Sequence, residues 1–315
     1  MLRRFALASL VTNVAIVITG GAVRLTGSGL GCPSWPSCTD SSYVVTRAMG
    51  GHGVIEFGNR MLGGVLGLIA IGTLVAAIRQ RPRRADLVRL AGLGLAGVLA
   101  QGLLGGITVR TGLNPWTVAG HFALSMAVIA VGYELWRRAG RPGTADRTAV
   151  PAAVAGLVVV LVGAAALVLA LGTIVTGSGP HAGDPQTPRM GFDPRTVAQL
   201  HADAGFLLVG LTVATWFALR AVGAPRPAVR AAAALIGIEL AQGTIGAVQY
   251  ALHLPALVVG LHMAGACAVW LGVLALADRV RAPAPDQTRT APEQTKTAAV
   301  PAQHAPLAPA TQDVA

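Results

Sequence analysis

Eight apolar stretches constrain the fold of this chain more than any other feature. Each is long enough to cross the hydrocarbon layer of a bilayer, which takes about 20 residues in a helix. Because a helix satisfies its own backbone hydrogen bonds in lipid, the pattern predicts an all-α integral membrane protein with eight transmembrane helices. The stretches lie near residues 5–23, 52–78, 87–109, 116–136, 151–175, 196–219, 229–251 and 255–277.

The charge distribution agrees with a membrane protein and argues against a nucleic-acid-binding one. Charged residues make up 12% of the chain, about half of the roughly 25% found in soluble domains. The formal net charge is +11, but the basic residues cluster in short loops between the apolar stretches. The sequence contains no basic face interleaved with aromatic residues, so we expect membrane lipid around this chain and no nucleic acid.

The arginines also predict the orientation of the chain in the membrane. They are frequent at the N-terminus, in the loops after the second, fourth and sixth stretches, and after the eighth. Since positive charge stays on the cytoplasmic side, we expect a multi-pass protein of the plasma membrane with both termini cytoplasmic. The first stretch is too long for a signal peptide and lacks a good cleavage site. The arginines concerned are Arg3, Arg4, Arg79, Arg81, Arg83, Arg84, Arg89, Arg137, Arg138, Arg141, Arg147, Arg220, Arg226, Arg230, Arg279 and Arg281.

A sequence repeat divides the eight stretches into two halves. Both halves contain a Thr-Gly-Ser-Gly motif, and both contain a Gln-Gly pair whose glutamine precedes a histidine by 20 residues. Each half has four spans, so the halves share one orientation and form parallel repeats about an axis along the membrane normal. We therefore expect two four-helix bundles side by side. The repeated residues are Thr26–Gly29, Gln101, Gly102 and His121, then Thr176–Gly179, Gln242, Gly243 and His262.

The domain organisation follows from this repeat and from a change of composition near the C-terminus. Residues 1–147 form the first four-helix half and residues 148–280 the second. Residues 281–315 are rich in proline, alanine, threonine and glutamine, with scattered charge. Such a segment cannot bury enough apolar surface to fold, so a disordered cytoplasmic tail is predicted.

Two histidines of the second half form the strongest candidate for a cofactor site. His201 and His262 each lie about 10 Å inside a span from the same side of the membrane, at 1.5 Å per helical residue. Two imidazoles facing each other at one depth can hold haem iron from both axial sides. For a single membrane histidine, an interhelical hydrogen bond is the simpler interpretation. Zinc and copper are less favoured, because no further ligands of suitable type lie at this level.

The first half is not a chemical copy of the second. His121 corresponds to His262, but Asn59 stands where the second half has His201. Glu56 in turn corresponds to Ala198. A carboxylate is therefore confined to one half, which is expected if one half carries out chemistry while the other holds a cofactor.

Glu56 is the candidate catalytic residue of the first half. His52, Glu56 and Asn59 share one helical face by their i, i+4 and i+7 spacing. A carboxylate about one turn inside a membrane helix is costly and is a functional candidate by default. The alternative is a buried ion pair with Arg60 or with Arg24.

Two cysteines flank a short proline-containing segment in the first loop. Cys32 and Cys38 lie on the oxidising side of the membrane in the predicted topology, where a disulfide is expected to persist. It would serve either as a structural staple of the loop or as a redox pair above Glu56. Cys267 stands alone in the eighth stretch and is predicted to be a small core residue.

Four segments resemble the motifs of a known family. They are Gly20–Pro36, Ile55–Arg60, Gln101–Gly106 and His121–Phe122. These segments are similar to those of the haem A synthase family, and the similarity extends over nearly all of residues 1–280. The resemblance implies eight spans in two four-helix halves. It also implies oxidation of the C8 methyl group of haem O to a formyl group, which gives haem A for terminal cytochrome oxidase.

The same resemblance assigns residues to roles. It implies a haem b between His201 and His262, and a haem O substrate whose iron is bound by His121. The catalytic glutamate of the family falls on Glu56, and its loop cysteine pair falls on Cys32 and Cys38. The expected partners are a haem O synthase, which supplies the substrate, and the assembly machinery of cytochrome oxidase. The sequence leaves homo-oligomerisation and the electron acceptor open.

One departure from the family pattern affects the first half. Members with four histidines have a histidine immediately before the motif arginine, where this chain has Asn59. His52 lies about 10 Å nearer the membrane surface by the helical rise, so its use as the missing ligand would need a shift. We therefore expect His121 to be the single iron ligand, with Asn59 lining the pocket and His52 as a second candidate for that lining.

Two other functions fit part of this pattern. A di-histidine b-type cytochrome that carries electrons would explain the paired histidines, but not the one-sided glutamate or the cysteine loop. A transporter built from parallel repeats would explain the duplication, and it would carry no haem.

Overall fold

The computed structural model describes residues 1–140, 150–181 and 183–280. The predicted tail 281–315, together with Arg141 and Arg147, lies outside these residues. Eight helices are present in the described part of the chain, and a single turn of 3-10 helix at Arg47–Met49 precedes the second of them. The helices are α1 (Leu2–Leu25), α2 (Gly50–Arg79), α3 (Ala85–Arg110), α4 (Pro115–Ala139), α5 (Ala152–Ser178), α6 (Pro194–Ala221), α7 (Arg226–Ala251) and α8 (Ala256–Val280).

All eight helices are long and apolar enough to cross a membrane. Each begins and ends within three residues of the span predicted from the sequence. Over the residues described, the only β-type pairing is an isolated bridge between Thr39 and Ser42. The prediction of an all-α, multi-pass membrane protein with eight spans is confirmed.

Capping residues fix the start of the two helices that carry His121 and His201. The Asn114 side chain accepts a hydrogen bond from the backbone at the start of α4. The Asp193 carboxylate accepts two at the start of α6, from the backbone and the hydroxyl of Thr196, at 2.8 and 2.7 Å. These bonds hold the pKa of Asp193 below its usual value. Each cap is followed by proline, whose fixed φ and missing N–H suit the first helical position.

The helices pack in two closed sets of four. Among α1 to α4 each helix contacts the next, and α4 returns to α1; α5 to α8 repeat this order. Contacts between the sets run from α1 to α8 and from α4 to both α5 and α8. This arrangement is consistent with the two four-helix bundles expected from the repeat. The end of the molecule where α1 ends and α2 begins is called the first-loop end below.

The seam between the sets is mainly apolar, and two polar links join α4 to α8 across it. Met126 of α4 lies in the largest cluster of buried apolar residues, and its carbonyl accepts a 2.9 Å hydrogen bond from the indole of Trp270 in α8. Arg137 of α4 forms a buried ion pair with Asp278 of α8. Cys267 is buried in the same cluster, as predicted.

Candidate functional site

A cavity of about 2000 Å³ lies among the helices and is lined by residues from all eight. Pockets for single drug-sized ligands measure roughly 300–1,000 Å³, so this cavity has room for more than one large molecule. Five predicted site residues contribute to its wall, namely Glu56, Asn59, His121, His201 and His262.

The structure brings the two histidines of the second half close together. The ring centroids of His201 and His262 are 6.2 Å apart, and the ring planes are inclined by 75°. A bound imidazole nitrogen lies about 2 Å from its metal, so two rings on opposite sides of one ion have centroids roughly 6 Å apart. His201 donates from Nδ1 to the Val168 carbonyl at 3.0 Å, which leaves the Nε2 lone pair for a metal.

The donor set of this pair suits a haem. Over the residues described, no group of three or more His, Cys, Asp or Glu side chains is placed to hold a bare metal ion. A haem needs only axial ligands from the protein, because its porphyrin supplies the four equatorial nitrogens. Glycines give the rings space: a Cβ at Gly172 would lie 3.1 Å from the His201 ring, and one at Gly246 would lie 3.1 Å from that of His262.

The repeated glutamine–histidine spacing corresponds to an equivalent hydrogen bond in each half. Gln101 on α3 donates from Nε2 to the His121 carbonyl on α4 at 3.1 Å. Gln242 on α7 makes the same bond to the His262 carbonyl on α8 at 2.7 Å. The spacing of 20 residues is therefore the distance along the chain between facing positions on adjacent antiparallel helices.

The histidine of the first half has no facing partner histidine among the residues described. The His121 ring donates from Nε2 to the Gln101 carbonyl at 3.2 Å, which places its lone pair on Nδ1. Asn59 also lines the cavity, and its Oδ1 accepts a 2.7 Å hydrogen bond from the Thr19 hydroxyl. The first half thus offers one imidazole and one amide where the second half offers two imidazoles.

His52 lies away from the cavity. It belongs to the first turn of α2, its side chain is exposed, and its Nδ1 is 2.9 Å from the Ser28 hydroxyl. It is not part of the cavity wall. Because α2 begins at Gly50, His52 remains at the first-loop end, two turns from Asn59, and the structure gives no support to a pocket-lining role.

Glu56 is buried, with 5% of its surface exposed, and is hydrogen-bonded at both carboxylate oxygens. Arg60 donates to Oε1 from Nε at 3.1 Å and from Nη2 at 2.5 Å. The Cys32 backbone N–H donates to Oε2 at 2.7 Å. The ion pair with Arg60 considered from the sequence is therefore present. Arg24 instead contacts backbone carbonyls of the second half.

The first loop is bound to Glu56 through Arg60. The Arg60 guanidinium donates to the carbonyls of Cys32, Ser34 and Ser37 at 2.7 to 3.1 Å. A disulfide between Cys32 and Cys38 closes this segment, as predicted. One arginine thus joins a buried carboxylate to a covalently closed loop.

Trp35 is a cavity residue that the sequence analysis missed. Its indole lies directly on Gly106 of α3, where no Cβ would fit, and it contributes to the cavity wall with Pro36 and Tyr43 of the same loop. The sequence signal for this contact was the pair Gly105–Gly106, because adjacent glycines on a helix allow another group to approach its backbone closely.

Glu239 of α7 also lines the cavity. One of its carboxylate oxygens accepts a 2.9 Å hydrogen bond from the Thr212 hydroxyl.

Fold and site together define a multi-pass helical membrane protein with a large cavity built around histidines from both halves. Residues 3–50 and 49–203 match the family described as cytochrome oxidase assembly protein. The matched residues make up more than half of the chain. The chain belongs to this family.

Individual relatives carry a more specific name. The chain is similar to the heme A synthases of Hyphomonas neptunium (31% identity over 211 residues), Lysinibacillus sphaericus (30% over 130) and Symbiobacterium thermophilum (32% over 131). The alignments cover 54%, 41% and 40% of this chain, and 59%, 42% and 40% of the respective relatives. The matched region therefore spans less than two thirds of each relative.

Proposed function

We propose that this protein is a haem A synthase, which oxidises the C8 methyl group of haem O to a formyl group. The observation that carries the proposal is the His201–His262 pair, 6.2 Å apart, in the same cavity as His121 and Glu56. A second support is the name of the relatives. The product haem A would serve terminal cytochrome oxidase, and a haem O synthase would supply the substrate.

The two halves take different roles in this proposal. His201 and His262 hold a haem b, and electron relay is the chemistry that this group supplies when it is bound. His121 binds the iron of the substrate haem O, with Asn59 on the pocket wall. Residues 1–147 form the substrate half and residues 148–280 the cofactor half. The first-loop end faces outward from the plasma membrane, which leaves both termini cytoplasmic.

Glu56 is the proposed proton acceptor or charge stabiliser for the methyl-derived centre. The substrate methyl is oxidised in two steps, first to an alcohol and then to a gem-diol, and the gem-diol loses water to give the aldehyde. Each oxidation takes up one water as the oxygen source and releases two electrons and two protons, so an external electron acceptor must take up four electrons in all. A carboxylate positioned before the reaction stabilises charge that develops beside it. Arg60 and the Cys32 N–H hold both Glu56 oxygens, so the carboxylate is oriented without help from the substrate.

The role of Glu56 is tested by haem extraction. The full chain and its Glu56→Ala variant are expressed with a haem O synthase, and extracted haems are separated by chromatography. We expect haem A yield to fall by at least tenfold, with haem O retained. Asp203→Ala is the matched control, because Asp203 is an exposed carboxylate of α6 outside the cavity wall. An unchanged haem A yield in Glu56→Ala would show that Glu56 has no such role.

A di-histidine b-type cytochrome is the second candidate, and the His201–His262 geometry favours it as well. A pyridine haemochrome spectrum of the purified chain separates the two functions. Haem b together with haem O or haem A supports the synthase, and haem b alone supports the cytochrome. A spectrum without haem contradicts both and favours a transporter.

A further inference from the structure

Arg24 is a cavity residue without a carboxylate partner among the residues described. It lies in the last turn of α1, where its Nη2 donates to the Thr176 carbonyl at 2.9 Å and its Nε donates to the His181 carbonyl. None of the ion pairs in the described part of the chain includes it. Its two acceptors are neutral, so the positive charge of this partly buried group is oriented but not neutralised.

Arg189 brings a second positive charge to the same part of the cavity wall. It donates to the carbonyls of Thr187 and Pro180, again both neutral, and no ion pair of the described residues includes it. Its charge repels that of Arg24. Both arginines line the cavity. Arg24 is partly buried and Arg189 is exposed, so their repulsion is partly screened by solvent, but two like charges on one wall of a largely apolar cavity still favour an anion between or beside them.

The chemistry of the two side chains selects the kind of anion. A guanidinium presents paired N–H donors in a planar fork that matches a carboxylate. The Nη1 group of Arg24 and the Nε group of Arg189 make no hydrogen bond to the residues described, so each arginine keeps a donor for a ligand. A dicarboxylate could therefore engage both arginines.

Position links this charge pair to the second half of the cavity. Both acceptors of Arg24 belong to the end of α5 or the loop after it, and Arg189 lies in that loop, just before α6. His201 lies on α6 about 10 Å further inside, at 1.5 Å per residue from Pro194. A porphyrin held at His201 would carry its two propionates on one edge, and these are the only charged substituents of its ring.

We propose that Arg24 and Arg189 bind the propionate carboxylates of the porphyrin held by His201 and His262. This inference rests on the proposed function, because it takes the occupant of the second half to be a haem. It adds two residues at the first-loop end that set the orientation of the ring, with its carboxylate edge toward that end.

The test compares haem with haem dimethyl ester, in which both propionates are neutral. Each is titrated into haem-free full-length protein in detergent, and dissociation constants are measured from the Soret band. Arg189→Gln is expected to weaken haem binding about tenfold, the typical size of one charge-assisted hydrogen bond, and to leave ester binding unchanged. Arg24→Gln is expected to do the same, and Arg24→Lys to recover part of the loss.

Arg110→Gln is the matched control, since Arg110 is exposed at the same end of α3 and does not line the cavity. Three results would overturn the inference. Arg189→Gln could weaken the binding of haem and of its ester equally, it could leave haem binding unchanged, or Arg110→Gln could weaken haem binding as much as Arg189→Gln does. If Arg24→Gln does not fold, the Arg189 result decides. Wild-type protein that binds both porphyrins equally overturns the inference alone, and points to another anion such as a lipid headgroup. Protein that binds neither contradicts the proposed function as well.

Discussion

Arg60 makes more polar contacts around the candidate catalytic residue than any other side chain described there. It binds Glu56 and the carbonyls of Cys32, Ser34 and Ser37. Because these groups are partly buried, they have few alternatives in water if the guanidinium is lost. Arg60 therefore fixes the position of the Glu56 carboxylate relative to the first loop.

Arg60→Gln is expected to destabilise the protein by about 3 kcal/mol or more, because it leaves a buried carboxylate and several carbonyls short of donors. Thermal unfolding in detergent measures this loss. Arg47→Gln is the control, since Arg47 is an exposed arginine just before α2. Equal stability of the two variants would show that the loop does not depend on Arg60.

At the scale of single residues, the sequence predicted the positions of side chains that belong to regular helices. The equal depth of His201 and His262 follows from helical spacing, whereas the ion pair of Glu56 with Arg60 was only one of two alternatives, the other being Arg24. The contacts of Trp35 with Gly106, and of Arg60 with three loop carbonyls, could not be predicted. They depend on the path of an irregular loop. Because every residue has a backbone carbonyl, the sequence does not show which carbonyls accept a hydrogen bond from a side chain.

Among the helices, α4 and α8 are joined by the most deeply buried ion pair of the described residues. The side chains of Arg137 and Asp278 are 7% and 5% exposed, and Glu134 also binds Arg137. The sequence predicted where both helices run, because hydropathy and capping residues mark their lengths and ends. It did not predict that they touch, since no short loop connects the fourth helix to the eighth.

Asp278→Ala is expected to destabilise the protein by about 3 kcal/mol, the lower end of the usual penalty for removing one member of a buried ion pair, because Glu134 still binds Arg137. The double variant Arg137→Met/Asp278→Leu removes both charges and is expected to recover most of that loss. Thermal unfolding of the two proteins measures the difference. A double variant as unstable as Asp278→Ala would mean that packing, and not the unpaired charge, causes the loss.

Over the whole molecule, two similar helical sets enclose one cavity but present different chemistry to it. The repeat predicted the similar sets, because spacing of apolar stretches and of the Gln–His pairs is visible in the sequence. The shared cavity, and the reach of Arg24 across to Thr176 and His181, are consequences of how the sets pack. Contacts between helices that are distant along the chain produce little periodic pattern in the sequence, so the sequence does not predict which of these helices pack together.

The separate sites proposed for the two halves predict separable losses of haem. His201→Ala is expected to remove the low-spin haem b signal and to leave haem O bound, whereas His121→Ala is expected to do the reverse. The effects of distant, independent sites on binding add, so the double variant is expected to contain little of either haem. Absorption spectra and extracted haem per protein measure these contents. Loss of both haems in each single variant would indicate one shared site.

The Arg137–Asp278 pair also bears on how the protein is made. Arg137 leaves the ribosome long before Asp278, so during translation the fourth helix enters the membrane with a cation that lacks one of its two acidic neighbours. The nascent first half cannot complete its buried contacts until the eighth helix arrives. A chain interrupted before residue 278 therefore lacks the carboxylate that joins α8 to Arg137, and this polar link between the two sets of helices cannot form.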